Sequence, residues 1–161
     1  MRLRPPAEVR ARAQGERVLA WLPSVGSSLV ATDRTLLLPE GTTPERVPWD
    51  RVLHATWDAT SLRITVQDPS GGRPTELRVP VPEDHGSLPE VVRERVKASI
   101  VVQHHVELHG EQGARSVARR TPGETVLRWS VVFDPGLDPT DPVLRARADE
   151  ELARLRTSLG V

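Results

Sequence analysis

The stretch Leu29-Val30-Ala31-Thr32-Asp33-Arg34-Thr35-Leu36-Leu37-Leu38 places two short apolar segments on either side of one polar pair. Aliphatic and β-branched side chains dominate both segments, as is typical of strands. Asp33 and Arg34 leave room for only a tight connection between them. We therefore predict two strands, over 27–32 and 35–38, joined as a hairpin.

Alternating apolar and polar residues continue on both sides of this hairpin. Further strands are predicted over 16–22, 47–57, 62–66 and 77–81. The second of these has the composition of one strand or of an irregular pair of strands, and Pro23 with Gly26 is expected to end the first. Asp68-Pro69-Ser70-Gly71-Gly72 has the chemistry of a hairpin turn. Pro80 and Pro82 cannot donate hydrogen bonds to a neighbouring strand, which restricts them to a strand at a sheet edge or to the end of a strand.

Three segments have the spacing and the end residues of helices. The first covers 7–14 and stops at Gly15. The second begins with the capping box Ser87-Leu88-Pro89-Glu90 and extends to about residue 102 through apolar residues at four-residue spacing. The third begins at Asp141-Pro142, because Asp accepts hydrogen bonds from free amides and Pro fits the first helical position. Its apolar stripe consists of Leu144, Ala148, Leu152, Leu155 and Leu159.

A second hairpin is predicted between the last two helices. Val106 and Leu108 alternate with polar residues, 110–113 forms the turn, and 114–120 returns. Another strand over 126–133 carries one apolar face, formed by Leu127, Trp129, Val131 and Phe133. The whole pattern predicts an α+β fold, with residues 1–161 as a single domain.

The composition indicates a folded protein of a reducing compartment. The 161 residues are 37 % hydrophobic and 27 % charged and include no cysteine, which excludes disulfides and thiolate chemistry. No apolar run approaches the roughly 20 residues of a membrane span, and the basic start lacks the apolar segment of a signal peptide. We expect a cytoplasmic protein with no integral membrane segment. The formal net charge of +0 argues against a dedicated nucleic-acid binder.

Residues 15–103 resemble the bacterial pleckstrin-homology-like (PH-like) domains. The resemblance rests on three motifs in order: Glu16-Arg17-Val18-Leu19-Ala20-Trp21, the hairpin Thr32-Asp33-Arg34-Thr35-Leu36, and Arg46-Val47-Pro48-Trp49-Asp50-Arg51-Val52. The second is similar to a "T-D-R-x-L" hairpin and the third to an "I-P-W-x-x-I" strand. The resemblance implies a bacterial protein with a curved antiparallel sheet or split barrel and a capping helix. Residues 104–161 would then be a hairpin-and-helix extension.

The resemblance implies that the domain serves in binding, but a fold does not determine which partner is bound. Phosphoinositide recognition does not carry over, because the loop over 23–28 has no Lys or Arg. No phosphate loop and no nucleophile elbow occurs, so we predict no catalytic residue and no cofactor, and whether any activity exists stays open. The leading hypothesis is a noncatalytic binding or scaffolding module that acts through protein–protein contacts with an unknown protein partner, or as a homodimer. An exposed sheet edge or the C-terminal helix would supply the contact.

The segment His104-His105-Val106-Glu107-Leu108-His109 supports an alternative hypothesis, a metal-dependent enzyme. In a helix His105 and His109 would lie one turn apart, and in a strand His105, Glu107 and His109 would share one face. Imidazole and carboxylate are ligands that zinc accepts. Two observations oppose a metal site. No residue at a suitable spacing in the sequence suggests a fourth ligand, and the three polar residues fit the solvated face of a strand equally well.

Arg115, Arg119, Arg120 and Arg128 support another alternative, a peripheral binder of anionic membranes or nucleic acid. They would form one basic patch if their two strands pair across Thr121-Pro122-Gly123. The competing interpretation is a solvated face whose arginines pair with nearby glutamates.

The four tryptophans could form a contact surface or fill the core, because aromatics are scarce in this chain. Trp129 is predicted to lie in the core. Trp49 follows Pro48 at a strand start and is predicted to be partly exposed, which makes it an interaction candidate.

Overall fold

The computed structural model describes residues 4–68 and 73–160. The chain divides into two compact units. The first takes its residues from 1–99 and 121–124, and the second from 100–120 and 125–161. The predicted turn over 69–72 lies outside the described residues, and the single-domain organisation stays a prediction.

The first unit begins with a short helix and a four-stranded antiparallel sheet. Its elements are α1 (Ala7–Ala13), β1 (Val18–Ser24), β2 (Ser27–Thr32), β3 (Thr35–Leu37) and β4 (Arg46–Pro48), with the strands in the order β1-β2-β3-β4. The predicted hairpin is confirmed. Its turn is closed by the Thr32 hydroxyl, which accepts hydrogen bonds from the amides of Arg34 and Thr35 at 3.1 and 2.9 Å. Asp33 accepts a further one from the amide of Arg17 at 3.0 Å, which ties the turn to the start of β1.

A single 3₁₀ turn (Trp49–Arg51) separates β4 from a second, three-stranded antiparallel sheet. This sheet contains β5 (Val52–Trp57), β6 (Ser61–Val66) and β7 (Thr75–Pro80), in the order β5-β6-β7. The prediction of an irregular pair over 47–57 and the placement of the last strand at a sheet edge are both confirmed. The alternation predicted in β6 is confirmed as well, because Leu62, Ile64 and Val66 are buried.

Helix α2 (Leu88–Ser99) completes the first unit and packs on its core. Its buried residues Leu88 and Val92 join aliphatic side chains from both sheets, and Trp49 is the largest side chain in this core. The helix ends three residues before the predicted boundary. Ile100, Val101 and Val102 start the next strand instead, because consecutive β-branched residues favour extended backbone.

The second unit is a three-stranded antiparallel sheet with one helix. It consists of β8 (Ile100–His109), β9 (Gln112–Arg120), β10 (Leu127–Phe133) and α3 (Pro142–Leu159), with the strands in the order β10-β9-β8. Asp141 caps α3 as predicted, since its side chain accepts hydrogen bonds from the amides of Val143 and Leu144. Only Ala148 of the predicted stripe is buried, and it packs with Leu108 and Ala114.

Three antiparallel sheets and three helices within residues 4–68 and 73–160 confirm the α+β class. No closed barrel forms among the strands of the described residues. No helix in that part of the chain is long and apolar enough to cross a bilayer.

Candidate functional site

A groove lies between strand β5 and helix α2 of the first unit. Its volume is about 650 Å³, within the range of ligand-binding clefts. Both walls are placed by the core, since Ala55 and Trp57 of β5 and Val92 and Val96 of α2 all pack against it. The described residues that line it are Leu53, His54, Ala55, Trp57, Gly86, Pro89, Glu90, Val92, Arg93, Val96 and Lys97.

The strand wall of this groove is an open sheet edge. Among the strands that the structure describes, β5 is the first of its sheet and pairs only with β6. The amide of Asp58 donates to the carbonyl of Ser61 at 3.0 Å in the connecting turn. In an antiparallel pair every second residue exchanges hydrogen bonds with the residue opposite it on the other strand. Counting back in twos from Asp58, His54 and Thr56 direct their peptide groups to β6. The peptide groups of Ala55 and Trp57 consequently face the open edge.

Strand β7, at the other edge, supports this register. The amide of Val81 donates to the carbonyl of Thr60 at 2.9 Å, so the odd-numbered residues of β7 direct their peptide groups to β6. Pro80 therefore faces outward, where its missing N–H costs no ladder hydrogen bond. Edge β7 contains a proline that blocks strand addition, and β5 contains none.

Trp57 forms one end of the groove and is held by a neighbouring ring. The rings of Trp57 and His85 lie 5.1 Å apart, between centroids, at an interplanar angle of 43°. His85 is fixed in turn by a 3.3 Å contact between its Nε2 and the carbonyl of Ala59. This arrangement gives the groove an aromatic wall whose position is set by packing.

The helix wall has a positively charged rim. Arg93 and Lys97 lie one helical turn apart, and both are exposed. Within the described residues neither has an ion-pair partner. Glu90 is the one carboxylate in the lining and His54 is the remaining titratable group. The rim therefore holds two unpaired cations beside an apolar floor.

The predicted histidine segment lies in β8 and does not converge on a metal site. Among the described residues no three His, Asp or Glu side chains come close enough together to hold a metal ion. A register shift between Glu107 and His109 breaks the alternation that would have put these two with His105 on one face.

His105 instead pairs with Asp134, at 2.8 Å between Nε2 and Oδ2. The same Oδ2 accepts a hydrogen bond from the amide of Gly113 at 2.8 Å. The hydrogen bond from His105 and, secondarily, that from Gly113 lower the pKa of Asp134 below its ordinary value. Asp134 thus fixes the end of the sheet in the second unit, which is a structural role.

The predicted arginine patch is only partly assembled. Arg119 lies opposite Arg128 in the β9–β10 register, and Arg115 lies four residues earlier in β9 on the same face. Arg120 follows Arg119 in the strand and therefore belongs to the opposite face. Arg119 is only 5 % exposed, with its guanidinium 3.2 Å from the Ser130 hydroxyl. The prediction of one exposed patch of four arginines is wrong, because strand alternation separates Arg120 and burial removes Arg119.

The tryptophan predictions also need correction. Trp49 is 1 % exposed, and its Nε1 donates to the carbonyl of Thr32 at 2.8 Å. The expectation of a partly exposed Trp49 is wrong, because the 3₁₀ turn after Pro48 directs the indole into the core. Trp129, predicted as a core residue, is only partly buried. Trp49 is buried in the core of the first unit and offers no surface to a partner.

Comparison with known proteins gives no relative for this chain. No protein-family model, no curated protein and no solved structure matches it. The β5–α2 groove is therefore the site that the geometry itself supplies. The sequence indicated a contact role for the tryptophans as a group and for an exposed sheet edge. It contains no signal for the helix wall, because residues 53–57 and 89–97 meet only in the folded chain.

Proposed function

We propose that this protein is a noncatalytic binding or scaffolding module of PH-like fold that acts through protein–protein contacts. Seven strands followed by a helix occupy the described residues of 18–99, and a run of strands closed by a helix is what the resemblance implies. The motif residues also hold structural positions, with Thr32 and Asp33 in the hairpin turn and Trp49 in the core.

The partner binds as an extended segment along β5, in the groove beside α2. One observation carries this proposal: the outward peptide groups of Ala55 and Trp57 lie next to an apolar groove of about 650 Å³. An added strand would satisfy those backbone groups, and its alternate side chains would enter the groove. Main-chain hydrogen bonds then supply affinity, and the groove supplies side-chain preference.

Selection from a random peptide library on the full chain tests this function. Selected peptides should bind wild type and lose at least tenfold in affinity against Ala55→Pro, which removes one outward N–H and fills the edge with a ring. Proline is tolerated at outward positions of edge strands, so we expect the variant to fold, as checked by circular dichroism.

Glu76→Pro is the matched control, since residue 76 faces outward from the opposite edge at β7. Its affinity for the selected peptides should equal that of wild type. Equal binding to wild type and Ala55→Pro would contradict the proposed mode, and a library that yields no binder would contradict the function.

The second candidate is a module that binds a second copy of itself as a homodimer. Exposed leucines on helix α3 favour this candidate. The C-terminal half of α3 carries Leu152 and Leu155, both partly exposed, and Leu159, which is 48 % exposed. Sedimentation equilibrium should show a dimer that Leu155→Glu and Leu159→Glu together convert to monomer. A wild-type chain that sediments as a monomer throughout would exclude the dimer and leave the groove proposal intact.

A further inference from the structure

We infer that the β5–α2 groove selects extended segments that carry carboxylates, so that the partner is an acidic peptide segment with alternating apolar residues. This inference rests on the proposed function and specifies the chemistry of the partner. Its basis is the combination of an open strand edge, an apolar floor and two unpaired cations along one rim.

The geometry of the rim explains why a peptide carboxylate fits there. Successive side chains of an added strand point to opposite faces, and residues i and i+2 on one face lie roughly 7 Å apart. Arg93 and Lys97 are four residues apart on α2, which is about 6 Å along the helix axis. Two carboxylates on alternate residues of a strand that runs along α2 therefore match the two cations in spacing.

The charge balance of the lining favours the same partner. The described lining residues include two cations, Arg93 and Lys97, against one carboxylate, Glu90, and His54 is the other titratable residue among them. An acidic segment would neutralise the two cations, and a basic segment would add like charge to them. Folded anionic surfaces are a poorer match, because they offer no extended backbone to pair with the open edge of β5.

Three versions of one library-selected peptide test the inference, with its charged positions all Glu, all Gln or all Lys. At low salt the Glu version should bind wild type about fivefold more tightly than the Gln version, as expected for two exposed ion pairs. The Lys version should bind more weakly than either, and the differences should shrink at 1 M salt. The double variant Arg93→Glu with Lys97→Glu should reverse the order.

Lys97 is the only lysine of the chain, so it locates the contact directly. A carbodiimide that joins a carboxylate to an amine should couple the Glu peptide to Lys97, with the site identified by mass spectrometry. Lys97→Arg should lose this cross-link while it keeps the affinity, because the rim charge is preserved.

The outcomes separate the two proposals. Equal affinity of the three versions, with binding still lost in Ala55→Pro, would overturn the acidic preference and leave the proposed function standing. Equal loss of binding in Glu76→Pro would count against the proposed function itself. Sedimentation with phosphatidylserine vesicles that requires Arg93 and Lys97, together with no ranking among the peptides, would overturn the inference in favour of a membrane surface.

Discussion

Gly113 shows how a single residue sets the path of the sheet in the second unit. A Cβ built on it would lie 1.7 Å from the carbonyl oxygen of Val106 and 2.9 Å from the Cα of Glu107. Both neighbours are backbone atoms, so no side-chain rotation can relieve the clash. From the sequence, Gly113 was predicted to end a turn, whereas it belongs to β9 and lets the backbone of β8 approach closely.

We expect Gly113→Ala to destabilise the protein by roughly 3 kcal/mol, at the upper end of overpacking effects. The matched control is Gly110→Ala in the adjacent turn. Gly110 has open space around its Cβ position and a φ of +60°, so we expect a cost of roughly 1 kcal/mol from the left-handed backbone alone. Urea unfolding of the two variants measures the difference, and equal stabilities would contradict the close approach.

The turn between β5 and β6 makes a prediction at the scale of an element. Asp58 accepts hydrogen bonds from the amides of Thr60 and Ser61 at 2.9 and 2.8 Å, and from the Ser61 hydroxyl at 2.7 Å. The Ser61 hydroxyl bond, followed by the Thr60 amide bond, lowers the pKa of Asp58 from 3.8 to about 2. The charged form of this carboxyl is therefore preferred in the folded protein.

Because the folded-state pKa lies below the unfolded one, Asp58 contributes stability above pH 4. That contribution is lost as the pH falls from 3.8 towards 2. We expect Asp58→Asn, which keeps an acceptor oxygen but cannot titrate, to flatten the stability curve between pH 5 and pH 2. Unfolding free energies measured across this range check it. Curves for wild type and variant that stay parallel would contradict the role of the charge.

The elements themselves were largely predictable, because hydrophobic periodicity and cap residues are local signals. Two boundaries were wrong for physical reasons. Pro23 lies inside β1, opposite Ser28, and it is tolerated because β1 is the edge of its sheet. Ile100 continues the four-residue spacing of α2 but starts β8, because the β-branched run after Ser99 outweighs that spacing.

The site was less predictable than the elements. Which peptide groups of β5 face outward depends on the turn at Asp58, and the groove forms only where α2 packs beside β5, although the two are distant in the chain. Local sequence patterns show neither the orientation of these peptide groups nor this packing. The histidine segment shows the opposite case, in which the sequence predicted a site that the fold does not form. The spacing of its possible metal ligands would place them on one face of a regular strand, but a register shift in β8 breaks that alternation.

At the scale of the whole molecule, the chain leaves the first unit at Ser99 and returns to it for residues 121–124. Thr121 anchors this return, because its hydroxyl donates to Oδ2 of Asp50 at 3.0 Å. Asp50 is 0 % exposed, so the hydrogen bond to its carboxylate forms away from water. A short segment of the extension is thus built into the first unit.

We expect Thr121→Val to cost about 2 kcal/mol, the typical contribution of a hydrogen bond to a charged group. Thr140→Val is the matched control, because the hydroxyl of Thr140 donates to Asp138 in an exposed turn, where we expect a change within about 0.5 kcal/mol. Thermal and urea unfolding compare the pair. A Thr121→Val variant as stable as wild type would show that the return segment is not anchored in this way.

The central claim, that β5 is an open edge which accepts a peptide strand, is tested most directly by amide hydrogen exchange. We predict that the amides of Ala55 and Trp57 exchange rapidly in the protein alone, whereas those of His54 and Thr56 are protected by β6. A selected peptide at 100 times its Kd should slow exchange at Ala55 and Trp57 by about 100-fold and leave Glu76 on β7 unchanged. Unchanged exchange at Ala55 and Trp57 with the peptide bound would contradict the account.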